Sequence, residues 1–157
     1  MDCFDMAEIA VKKACEILQI EEPEVVFYKT EGKDDLNIRS VFFKEKYQIG
    51  FDSDALKVAH TFQIAAAAYH ESRHAFQWQV VNDLYTGNEV VNIITKKSWM
   101  NDFMNYDSPS IDEKEEKEYL SQSIEVDAVM FAYQQWKDII DKDILIPKGF
   151  EDVFIED

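Results

Sequence analysis

His70, Glu71, Ser72, Arg73 and His74 spell H-E-x-x-H inside the apolar run AAAAYHESRHAFQWQVV. On a helix, residues four apart share a face, so the two imidazoles converge on one tetrahedral ion while Glu71 stands beside the position left open for water. The chemistry implied is metal-assisted hydrolysis, with zinc as the expected ion and Glu71 as the general base. The motif requires a helix, and residues 54–85 contain neither Gly nor Pro and are rich in Ala. The chain has three histidines, and two of them belong to the motif. Two helical histidines flanking a glutamate also occur as a solvated patch without metal, and it is the apolar, helix-forming context that favours the metal reading.

Three protein ligands and one open position define a hydrolytic zinc site. A third ligand is offered by SQSIEVDAVMFAYQQW, where Glu125 lies in a second helical segment. A carboxylate in an apolar stretch has to meet a cation or good hydrogen bonds if it is to be buried, although an exposed Glu on an amphipathic helix has the same local pattern. Glu125 and Asp127 point about 200° apart on a helix, so only one of them reaches a given ion. Arg73 and Gln77, on or beside the motif helix, are candidate partners for Asp127 or for the second helix.

Together, YHESRHAFQ and the downstream IEVDAVMFA resemble the gluzincin branch of the zincin-like metallopeptidases, in particular the single-domain minigluzincins. The resemblance implies that His70, His74 and Glu125 bind zinc and that Glu71 is the general base. It also implies a short sheet ahead of the motif helix, with an edge strand lining the substrate cleft, and YQIGFDSD stands at that place. Better-known gluzincins carry an Asp one helical turn after the ligand Glu. That position is Val129 here, which leaves Asp127 as the candidate for a related supporting role.

The elements that would position these residues follow from periodicity. Ala7, Ala10, Val11, Ala14, Cys15 and Leu18 have the spacing of one helical face, which predicts an N-terminal helix over 4–18. Residues 24–29, rich in Val and aromatics after Pro23, read as a strand. Residues 36–44 and 47–51 flank a polar Lys-Glu-Lys segment and read as a hairpin. Asp52 or Ser53 is a suitable N-cap for the motif helix, and Gly87 is a natural stop. The resulting helix of about thirty residues is long enough to break near His60. VVNIITKKSWM reads as a short apolar segment and NDFMNYDSPS as a loop bordering the cleft. A second long helix is expected over 113–141, its acidic start at 112–119 being compatible with the helix dipole.

At 157 residues, with 46% apolar and 13% aromatic content, the chain suits one zincin-like metallopeptidase domain spanning 1–157. The fold class expected is α+β: an N-terminal helix, a small antiparallel or mixed sheet of about three strands, the long motif helix and the helix carrying Glu125. The acidic N-terminus lacks the uninterrupted apolar core of a signal peptide, and no run approaches a transmembrane span, so cytoplasmic residence is expected. Cys3 and Cys15 on one helix would lie about 18 Å apart, too far for a disulfide. A formal charge of −16 argues against phosphate-backbone binding, and the metallopeptidase resemblance implies a peptide or unfolded protein as the partner.

The reading that joins these features is a small zinc metallopeptidase holding a peptide along the Tyr47 to Phe51 strand. Tyr106, Tyr119 or Tyr133 would be the donor to the developing oxyanion. The rival is a zinc-stabilised binding or regulatory module without turnover. Glu71 separates the two, because a purely structural site has no use for a base.

Overall fold

The structure is a computed structural model that describes residues 2–29, 40–105 and 122–137. It is α+β, as expected. Helix α1 (Cys3–Leu18) is followed by strands β1 (Glu24–Tyr28), β2 (Ser40–Phe43) and β3 (Gln48–Asp52). Helices α2 (Ser53–Val58), α3 (Thr61–Val81), α4 (Ile93–Met104) and α5 (Ser123–Trp136) complete the described residues.

The predicted face of α1 is the buried one: Ala7, Ala10, Val11, Ala14, Cys15 and Leu18 all lie in the core. Asp2 caps the helix by accepting from the Asp5 amide at 2.8 Å. Both cysteines are free thiols, and burial pushes the Cys15 thiol up to about 12, with the Ser72 hydroxyl opposing by a smaller amount. At the other end, Gln19 closes α1 in the left-handed region at φ 61°.

The sheet has the order β1-β3-β2, with β1 parallel and β2 antiparallel to β3. This corrects the expectation for 47–51. That segment is the central strand, paired on both sides, and cannot present a free edge to a substrate. Among the described residues the edge nearest the motif helix belongs to β2, which packs on α3. The physical reason is pairing across the hairpin. Ile49, Gly50, Phe51 and Asp52 are all buried, a run suited to a strand covered on both flanks, whereas β2 ends on the exposed Phe43.

The break near His60 is present. Asp52 caps α2 by accepting from Asp54 and Ala55 amides at 2.9 and 3.2 Å, the chain leaves helical geometry at Ala59, and α3 restarts after His60. Gln63 accepts from the His60 amide at 2.9 Å, so the third histidine marks a helix start. At the far end, α3 stops at Val81, short of Gly87, because Asp83 turns the chain with φ 59°. Asp tolerates this left-handed geometry better than most residues.

Residues 93–104 are helical, which the expected segment-plus-loop reading missed. Asn92 caps this helix, α4, by accepting from Thr95 at 2.8 Å, while Trp99 and Phe103 are buried. The described part of the second long helix is α5. The remainder of the expected 113–141 span, the acidic start at 112–119, Tyr106, Tyr119 and the tail from 138 lie outside the described residues.

Helix α3 occupies the centre, with α1, α5, α4 and β2 packed around it. Tyr69 stacks on Phe131 and meets Trp136 edge-on, Phe76 meets Trp99 edge-on, and Trp78 meets Phe103 edge-on; these contacts bind α5 and α4 to the motif helix. Among the described residues, no helix is long and apolar enough to cross a membrane.

Candidate metal centre

Every residue from Glu71 to Gln77 is buried, including a Glu, an Arg, a His and a Gln. A helix that buries so many polar groups on all sides must supply each with a partner. The partners of Glu71, Arg73, His74 and Gln77 come from α5, β2, the segment between α3 and α4, and α3 itself, and they divide into two groups.

The first group holds the motif. His70 and His74 bring their Nε2 atoms to 3.1 Å of each other. The Glu125 carboxylate from α5 closes on both, with Oε2 3.0 Å from His70 Nε2 and Oε1 3.0 Å from His74 Nε2. Glu125 is 1% exposed. One carboxylate oxygen of Glu71 lies within 4.8 Å of a ligand nitrogen of each imidazole, and His70, Glu71 and His74 form a cluster that could hold a metal ion. Ser40, on β2, donates to Glu71 Oε2 at 2.7 Å. Neither spacing nor composition pointed to Ser40, since its approach depends on how β2 packs against α3.

Electrostatics within this group are strongly coupled. Burial alone would push His74 down. The Glu125 charge and hydrogen bond, helped by Glu71 and Gln77, outweigh it and hold His74 up at about 9. Burial alone would raise Glu125, and the two imidazoles hold it well below the usual carboxylate range.

A pH dependence follows. In chelator-stripped protein His74 is raised from 6.5, so its contribution to stability is fully present below about 6.5 and is lost as pH rises through about 9. The melting temperature of stripped protein should therefore fall across that interval. Metal affinity should move oppositely, rising with pH by roughly tenfold per unit as the competing proton is lost. Thermal melts and metal titrations at matched pH values would check both trends; parallel rather than opposite trends would contradict the assignment.

The second group supports the first. Arg73, whose side chain is 9% exposed, donates to Asp127 through Nε (2.8 Å) and Nη2 (3.2 Å) and makes a fork with Glu89 at 2.9 Å on both oxygens. Its guanidinium also lies 4.3 Å from the Phe76 ring centroid and 5.1 Å from that of Phe131. Gln77 joins His74 Nδ1 (2.8 Å), the Ile124 carbonyl (3.0 Å) and Asp127 Oδ2 (2.7 Å). Asp127 therefore bonds to Arg73 and Gln77, two residues along α5 from Glu125. Val129 is buried in the apolar interior.

Two further residues fix the frame. Asp102, assigned from sequence to a loop, caps α5 from the side by accepting from Ser123 Oγ (2.6 Å) and the Ile124 amide (3.2 Å), one residue before Glu125. Tyr85 donates to the Leu18 carbonyl at 2.9 Å, fastening the segment that carries Glu89 to the end of α1. Tyr133 lies on α5, the one candidate oxyanion donor among the described residues. Beside His74 opens a cavity of about 170 Å³ walled by Phe42, Phe43, Lys44, Glu45 and Phe103.

Compared with models of protein families, with curated proteins and with solved structures, the chain matches none. Its class is thus defined by architecture and site: an α+β protein with an H-E-x-x-H helix whose His–Glu–His cluster could hold a metal ion.

Proposed function

We propose that the protein is a zinc-dependent peptidase of the gluzincin kind, with His70, His74 and Glu125 as ligands and Glu71 as general base. The observation that carries this reading is the approach of the Glu125 carboxylate to both imidazoles: Oε2 lies 3.0 Å from His70 Nε2, Oε1 lies 3.0 Å from His74 Nε2, and the two Nε2 atoms are 3.1 Å apart. Two ligands about 2.05 Å from a tetrahedral zinc ion stand about 3.3 Å apart, so the two nitrogens, and each nitrogen with its nearer oxygen, are spaced for one ion. Two nitrogens and a carboxylate suit zinc, and three protein ligands leave the fourth position open.

Zinc held by His70, His74 and Glu125 would supply Lewis acidity toward a carbonyl and toward water. Glu71 would be the group that accepts a proton at its carboxylate and returns it to the leaving amine. Ser40 holds one oxygen of Glu71, which fixes the carboxylate's plane before substrate arrives. The substrate is an extended peptide paired along β2, the edge strand carrying Ser40, with one apolar side chain in the cavity bounded by Phe42, Phe43 and Phe103.

An unfolded-peptide library tests the proposal. Cleavage is expected, abolished by phenanthroline and restored by zinc, with little action on compact folded proteins. Zinc binding without any chelator-sensitive cleavage would favour the non-catalytic binding module instead.

A further inference from the structure

Gln77 lies one turn beyond His74, is 0% exposed, and has its orientation fixed by chemistry. One end of its amide meets the Ile124 carbonyl and the Asp127 carboxylate; the other meets His74 Nδ1. A backbone carbonyl can only accept, so the NH₂ group must face Ile124 and Asp127, and a flipped amide would set oxygen against both. Gln77 Oε1 therefore faces the imidazole and can only accept from it. The proton of a neutral His74 then resides on Nδ1, and the lone pair on Nε2, the atom directed at His70 and Glu125.

The carboxylate that orients Gln77 is itself held by two Arg73 hydrogen bonds, and Arg73 by the Glu89 fork. We propose that Gln77 is a positioning residue that locks His74 in the Nδ1–H tautomer with Nε2 aimed at the metal, and that Asp127, Arg73 and Glu89 hold Gln77 in that orientation. This rests on the metal reading above. It assigns to a neutral amide the part that a carboxylate or carbonyl commonly takes behind a ligating histidine.

The test uses zinc alone as ligand. In zinc-loaded native protein, long-range ¹H–¹⁵N correlation should show His74 protonated at Nδ1 and coordinated through Nε2. Gln77→Met, similar in shape but without the acceptor, should raise the zinc Kd about 10- to 100-fold while the far-UV spectrum is retained. In zinc-loaded Gln77→Met the His74 ¹⁵N shifts should also depart from the native pattern, because no acceptor is left to hold the proton on Nδ1. A merely space-filling role predicts native ¹⁵N shifts in that variant.

Coordination through Nδ1, or a folded Gln77→Met protein binding zinc within about twofold of native, would overturn the proposal. If Gln77→Met fails to fold, the tautomer observed in native protein decides alone. A native chain that takes up no zinc overturns the metal reading itself, an outcome distinct from normal zinc uptake with an indifferent Gln77.

Discussion

Replacement of Glu125 by alanine is expected to weaken zinc binding by about a thousandfold, roughly one ligand's share of the 10–16 kcal/mol typical of a well-formed zinc site. The expectation rests on placement. Glu125 is buried and touches both imidazoles, so no solvent-exposed acid can drift into its position. Asp127 is the nearest alternative in sequence, but it accepts from Arg73 and Gln77, and rotating it inward would cost Arg73 two of its four carboxylate hydrogen bonds and Gln77 one of its partners. The removal also frees His74 of the charge that holds it up, so the metal-free variant should lose its high-pH destabilisation as well. Competition with a chromophoric chelator and native mass spectrometry would measure the change. Zinc bound at native affinity by Glu125→Ala would mean that Glu125 is only an ion-pair partner of the histidines.

Glu71→Gln should have the opposite profile: zinc retained and turnover reduced roughly 10²- to 10⁴-fold. The amide has almost the same shape, and the Ser40 hydroxyl, which can donate or accept, has a partner on either end of it. What disappears is a group able to take and return a proton. The comparison needs a peptide identified from the library, with zinc content and melting temperature measured alongside the rate. Unchanged turnover in a zinc-loaded Glu71→Gln protein would remove Glu71 from the base role even if the metal reading stands.

The pair of experiments separates the proposed ligand from the proposed base because the two residues lie on different helices. Helix α3 carries both histidines and Glu71, whereas Glu125 arrives on α5, whose first turn is capped by Asp102 of α4. A change at Glu125 acts on the ion. A change at Glu71 acts on the proton.

Several features were legible in the sequence because they are local. The H-E-x-x-H spacing puts His70 and His74 on one face of any helix that forms there, and the apolar spacing of α1 named its six buried residues. A cap at Asp52 or Ser53 and room for a break near His60 were also readable, though the cap was expected on the motif helix itself and falls on α2. Glu125 stood out through a rule that is nearly local, the cost of a carboxylate in an apolar stretch.

Only the tertiary structure decided the rest. Strand order is set by pairing between segments distant in the chain, so nothing within YQIGF could reveal that β3 is central and that β2 carries the edge beside the site. Helix α4 was missed because its apolar residues do not mark one face: Ile93, Ile94, Met100 and Met104 are exposed and only Trp99 and Phe103 are buried; it is held by packing against α3 and α5. Ser40 on Glu71 and the chain from Glu89 through Arg73 and Asp127 to Gln77 and His74 bring together residues from separate elements. Sequence determined which residues are candidates for the site, because the motif resides in side-chain types at helical spacing. Tertiary packing determined how they are held, because the orientation of a buried polar group is set by partners that only the folded chain brings within hydrogen-bond reach.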